Sequence, residues 1–238
     1  MKIKIVITAF LITVILVSCS PPTTSVPIAT ILPTHFPTAT PIATFLPVSP
    51  TPQATIPSPI TFSGEGNAIL TVNKWRGPAL IHINHEGTGE FSVWNLTQNE
   101  HLLNFVLFAK GKYSGTQVLD FSDRLSWQTY YLEIGATGNW EIEILPFEYG
   151  RRVNVPGVFT GTNNDVVFLE GGLPSSIEVS IYESGHFFAL SGVGNDGFIP
   201  ISDGTPPYHG VIKIEQDVKM LIIECIGEWQ VNVMNEGS

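Results

Sequence analysis

One pattern, present twice, constrains this chain more than any other feature. The first copy runs Gly111-Lys112-Tyr113-Ser114-Gly115 and then reaches Gly138-Asn139-Trp140-Glu141-Ile142-Glu143-Ile144. The second runs Pro207-Tyr208-His209-Gly210 and reaches Gly227-Glu228-Trp229-Gln230-Val231-Asn232-Val233. Each contains a Tyr-x-Gly turn, a strand region, a Gly-x-Trp step and a strand that alternates apolar and polar side chains. A pattern that recurs in one chain marks two copies of one folding unit. The closing strands have period two, so Trp140, Ile142 and Ile144 point inward and Glu141 and Glu143 outward. Trp229, Val231 and Val233 repeat that inward set. The two tryptophans are therefore expected to be core anchors, each beneath the Tyr-x-Gly turn of its own unit.

The stretches between these landmarks also read as strands. Asn67–Val72, Ala79–Asn84 and Phe91–Trp94 alternate, with Ala79, Ile81 and Ile83 on one face and His82 and Asn84 on the other. Leu102–Phe108 is more continuously apolar, as in a strand covered on both faces. Leu132 and Ile134 share a face with Tyr130, opposite Tyr131 and Glu133. Ile177, Val179 and Ile181 form the inward set of the equivalent strand in the second copy. No stretch has convincing helical spacing, and Gly-rich connections recur every eight to twelve residues or so, the mark of an antiparallel sandwich or barrel. The expected fold is all-β, with two tandem antiparallel β-sandwiches at residues 61–148 and 149–238. Glu148–Pro156 is the join between them.

The N-terminal quarter is different. Lys2 and Lys4 precede an apolar run, Ile5–Val17, that is too short for a spanning helix and suits a signal peptide. Leu16-Val17-Ser18-Cys19 ends it, and residues 1–18 resemble the leader of bacterial lipoproteins, with these four residues as the lipobox. That resemblance implies lipidation of Cys19 and a membrane-anchored protein outside the cytoplasm, because two or more acyl chains give stable anchoring where one is marginal. Residues 20–60 carry no Asp, Glu, Lys or Arg and are rich in Pro, Thr, Ala and Ser. Proline removes backbone donors and fixes φ, so residues 19–60 are predicted to be a disordered, extended stalk, rising about 3.1 Å per residue where polyproline II holds.

Each unit also resembles an uncharacterised all-β module of bacterial secreted proteins and lipoproteins. The first carries its whole pattern: Gly64, Gly66, His85, Gly87, Phe91, Tyr113, Gly115 and Trp140. The second departs from it, with Asn163, Glu183 and Pro206 at the positions aligned to Gly66, His85 and Gly111. The resemblance implies a jelly-roll-like sandwich and no particular activity.

Composition narrows the function classes. A net charge of −10 with 13% charged residues offers no basic footprint for nucleic acid or polybasic membrane patch. With Cys19 lipidated, Cys225 has no intramolecular partner and sits in an apolar run, as a buried thiol does. His82 and His85 are three apart on a strand and face opposite sides, so no metal centre is expected from them, even with His101 or Glu86 added. Asn163-Asn164-Asp165 and Asn195-Asp196-Gly197 read as turn chemistry in preference to calcium ligands. No nucleophile elbow, phosphate loop or dinucleotide fingerprint is present. No cofactor is expected and no catalytic residue is assigned. Trp94, Tyr131 and Tyr182 fall on the polar phase of their strands and are the candidate ligand-contact aromatics, against the alternative that they pack on the other unit. The reading is a non-catalytic, surface-displayed binding or structural module. Its alternatives are a carbohydrate or cell-wall polysaccharide binding module and a small extracytoplasmic hydrolase or metal-dependent enzyme. The partners expected are the membrane, through the lipid, and a glycan or another surface protein.

Overall fold

The computed structural model describes residues 55–121, 127–182, 187–195 and 197–235. The expected signal peptide, Cys19 and the expected stalk up to residue 54 lie outside the described residues, as do Glu183 and Asp196. The described residues belong to one compact unit.

Among the described residues the first repeat has eight strands: β1 (Ile60–Glu65), β2 (Ala68–Thr71), β3 (Ala79–His85), β4 (Glu90–Leu96), β5 (Leu102–Lys110), β6 (Tyr113–Leu119), β7 (Tyr131–Ala136) and β8 (Asn139–Leu145). They form two four-stranded sheets, ordered β1-β8-β3-β6 and β2-β7-β4-β5. A 3-10 turn at Phe147–Tyr149 leads to β9 (Arg151–Asn154). The second repeat follows as β10 (Gly157–Thr162), β11 (Asp165–Glu170), β12 (Ser176–Ile181), β13 (Phe188–Gly194), β14 (Gly197–Gly204), β15 (Tyr208–Lys213), β16 (Val218–Glu224) and β17 (Glu228–Met234). Its sheets are β10-β17-β12-β15 and β14-β13-β16-β11-β9. Strand for strand, the second repeat reproduces the order of the first. The addition is β9, which lies in the expected join and pairs with β11 in parallel, so one sheet is mixed where a purely antiparallel one was expected. The four sheets are consistent with two β-sandwiches.

Period-two alternation builds a core between the sheets of each repeat. Ile81, Ile83, Phe91, Val93, Leu132, Ile134, Ile142 and Ile144 are almost wholly buried in the first, and Ile177, Val179, Leu221, Trp229, Val231 and Val233 in the second. A third cluster lies between the repeats. Leu80, Val118 and Leu145, on the outer face of the first repeat's β3-containing sheet, pack against Val166, Phe168, Met220 and Ile222 of β11 and β16. Leu80 therefore leaves its own sandwich core yet is 1% exposed. Backbone bonds reinforce this contact: Thr116 N–H donates to the Asn164 carbonyl at 2.9 Å. The Asn163 side-chain amide donates to the Ser114 carbonyl at 3.2 Å.

The repeated motif has a physical reason that differs from the expected one. Each tryptophan packs on a glycine of the first strand of its repeat, not beneath the Tyr-x-Gly turn. Any Cβ on Gly64 or Gly161 would strike the indole of Trp140 or Trp229. The indole N–H of Trp140 donates to the Gly66 carbonyl at 2.8 Å, and that of Trp229 to the Asn163 carbonyl at 2.7 Å. Gly66 and Asn163 both have positive φ, 70° and 61°, a region open to Gly and tolerated by Asn. That is why Asn can replace Gly at this point in the second copy. The Tyr-x-Gly pairs solve the same problem locally, since Tyr113 lays its hydroxyl over Gly115, and Tyr208 over Gly210.

Two further corrections concern register and burial. Sheet register pairs His85 with Trp140 and Ile181 with Trp229, so Ile181, not Glu183, stands where His85 does. The expected match is out by two residues, a slip that preserves which face each side chain takes. Leu102–Phe108 is not covered on both faces. It lies in β5, the edge of its sheet, with Leu102, Phe105 and Phe108 exposed.

Candidate functional site

The three candidate aromatics do not form one site. Trp94 and Tyr131 are half-buried on the outer face of the β2-β7-β4-β5 sheet, on adjacent strands. Trp94 packs against exposed Phe105 at 4.4 Å between ring centroids, the two rings tilted by 56°. Neither belongs to the apolar cluster between the repeats. Tyr182 is exposed just past β12, in the second repeat, and its backbone N–H donates to the Glu228 carbonyl.

The remaining candidates are held structurally. His85 is fully buried, stacked on Phe91 at 4.4 Å, with its Nδ1 2.7 Å from the Gly111 carbonyl oxygen. His82 faces the other way, 3.1 Å from the Thr116 hydroxyl. Among the described residues no group of His, Cys, Asp and Glu is arranged to hold a metal ion. Asn163 and Asn164 bind backbone, the latter accepting from the Cys225 N–H at 2.7 Å, and Asp165 pairs with Arg151. Cys225 is buried.

A groove of about 560 Å³ lies where the repeats meet. The first repeat supplies Asn95 from β4, residues 103–106 of β5, the end of β6 and Trp127. The second supplies Phe198 of β14 and Ile222 and Glu224 of β16. Edge position explains the aromatics here: β5 and β14 each lack a neighbour on one side, so their large side chains reach the groove without being covered. Phe105, Trp127 and Phe198 are all well exposed.

The floor is polar and buried. Asp120 is ion-paired with Lys74 at 3.0 Å, both side chains 2% exposed or less. It also accepts from the Thr129 N–H at 2.9 and 3.0 Å and from the Thr129 hydroxyl at 2.7 Å. Lys74 further donates to the carbonyls of Trp75 and Gly77. Asn95 donates to the Thr129 hydroxyl at 3.0 Å, while its own Oδ1 is buried with no protein partner. Asp120 is thus occupied by its neighbours, and Glu224 is the carboxyl left open to the groove.

Glu224 is reached by solvent but closely surrounded, and the partial desolvation raises its pKa above the ordinary carboxylate value. A carboxyl whose pKa is raised by folding binds its proton more tightly in the folded chain. Its contribution to stability is therefore highest below the unfolded pKa and declines as pH rises through the folded one. Glu224→Gln should flatten that decline between about pH 4 and pH 7, leaving the variant at least as stable as the parent at neutral pH. Thermal melts across that range check this, and a variant that is less stable at the upper end contradicts it.

Sequence reasoning missed this groove because its residues come from six separate stretches and only the stacking of two repeats joins them. The one available signal was Phe105 within an apolar run that was too long for an alternating strand.

No protein-family model matches the chain, and no curated protein matches it. Among solved structures the chain is similar to the PBSX exported protein XepA, at 10% identity and a TM-score of 0.24, over 73% of this chain and 81% of that one. It is also similar to cAMP-bound PfPKA-R, at 10% identity and a TM-score of 0.20, over 70% of each chain. The regulatory subunit of a cAMP-independent protein kinase A from Trypanosoma brucei is similar at 7% identity and a TM-score of 0.22, over 74% and 73%. At these scores the likenesses decide nothing about fold or ligand here.

Proposed function

We propose that this chain is a non-catalytic binding protein, anchored to a membrane outside the cytoplasm by lipid on Cys19 and carried on its Pro/Thr-rich stalk. Its two repeats act as jelly-roll sandwiches, their strand order being that of two Greek keys folded together, and they share one ligand site. The observation that supports this most is the groove between repeats, whose size is typical of ligand sites and whose aromatic walls and few convergent polar groups suit recognition. The open carboxyl, Glu224, has no free acidic partner in Asp120, which favours binding over the paired acid and base of hydrolysis.

Both halves of the proposal are testable. Cys19→Ala should move the protein from the membrane fraction to the soluble fraction after a salt wash, and persistence in the membrane would remove the anchor from the proposal. The full chain, purified in detergent, should bind isolated bacterial cell envelopes. Asn104→Trp, which fills the groove from exposed β5, should abolish that binding. Absent binding, or binding indifferent to the substitution, would count against the groove as the ligand site.

A further inference from the structure

We propose that the groove between the repeats takes a neutral, hydroxyl-rich saccharide. This rests on reading the groove as the ligand site, and adds the chemistry of the ligand. Three observations carry it. The first is the presence of flat apolar faces from both repeats. Trp127 of the first is 56% exposed and Phe198 of the second 58% exposed, with Phe105 beside them. Pyranose rings present a C–H face that packs on such rings, burying apolar area without losing their outward hydroxyls.

The second observation is the character of the polar groups. Asn95 contributes a side-chain amide to the lining. Glu224 adds carboxyl oxygens and Gln117 an amide. Carboxylate and amide oxygens at the lining accept hydrogen bonds, so a ligand that donates them is favoured over one that does not. Hydroxyls donate. A purely apolar ligand does not, and a proline-rich peptide on the same aromatics offers mainly carbonyl acceptors.

The third is charge. No Lys, Arg or His is among the described residues lining the groove, while Glu224 is, in a chain of net charge −10. Anionic polysaccharides, which call for cationic partners, are disfavoured.

The test uses the full chain in detergent on an array of neutral oligosaccharides, anionic oligosaccharides and a peptide copy of residues 20–60, followed by titration calorimetry. Neutral glycans should bind. Trp127→Ala and Phe198→Ala should each weaken them about tenfold or more, and Val158→Ala, exposed on β10 outside the groove, should not. Circular dichroism and melting of each variant confirm that a loss is not unfolding. Preference for anionic glycans or for the peptide, or neutral binding that survives both aromatic substitutions, overturns the inference. If envelopes bind through the groove but no neutral glycan does, the saccharide is wrong and the binding function stands. If neither binding depends on the groove, both fall.

Discussion

Trp229→Ala is expected to destabilise the protein by about 3–5 kcal/mol, and Trp140→Ala by a similar amount. Burial is near complete, at 1% and 4% exposure. The loss has three parts. The indole leaves a cavity between sheets that close-packed neighbours cannot fill. The carbonyl of Asn163 or Gly66 loses the indole N–H that it accepts from. The glycine beneath, Gly161 or Gly64, was there only to admit the ring, and without the ring it is left as a flexible, unpacked strand position. Such a cost is a large share of the 5–15 kcal/mol typical of a folded domain. Trp94→Ala should cost far less, because Trp94 is half-buried on an outer sheet face against exposed Phe105. Denaturant titration of the three single variants checks the order. Equal midpoints for Trp229→Ala and the parent would mean that the repeated tryptophan is not an anchor.

The repeated motif was legible because tryptophan, glycine and positive φ are strict requirements. Trp140 and Trp229 need a glycine beneath them and a left-handed carbonyl beside them, and few residues meet either demand. Inward positions such as Ile142 and Val231 follow from period two alone. Other features depend on neighbours that a single strand does not specify. Leu80 looks like an outward residue of β3 and is buried because β11 and β16 cover it. Phe105 and Phe108 look buried and are exposed because β5 has no outer neighbour. A two-residue slip aligned Glu183 with His85, whose equivalent in the second repeat is Ile181, since period two cannot distinguish registers that differ by two. The groove depends on all of these at once, and so did not emerge from any one stretch.

The Lys74–Asp120 pair was the least legible element and is expected to be among the most sensitive. Lys74 lies between β2 and β3 and Asp120 just after β6, positions that ordinarily belong to exposed loops. Yet both side chains are sealed from solvent, 3.0 Å apart, with Asp120 at a φ of 54° and bound by Thr129. Lys74→Met keeps the length of the stem and removes the charge. It leaves a buried carboxylate without its cation, a change that typically costs about 3–5 kcal/mol. The double variant Lys74→Met with Asp120→Asn removes both charges and retains an oxygen to accept from the Thr129 N–H. It should recover part of the loss, so the two substitutions should be markedly non-additive in a double-mutant cycle. The pair is also expected to hold the floor of the groove, because Asp120 lines it and Thr129 connects Asp120 to Asn95. Lys74→Met should therefore loosen the groove as well as lower the melting temperature. If Lys74→Met melts with the parent, the ion pair contributes nothing net and the floor is held by the Thr129 bonds alone.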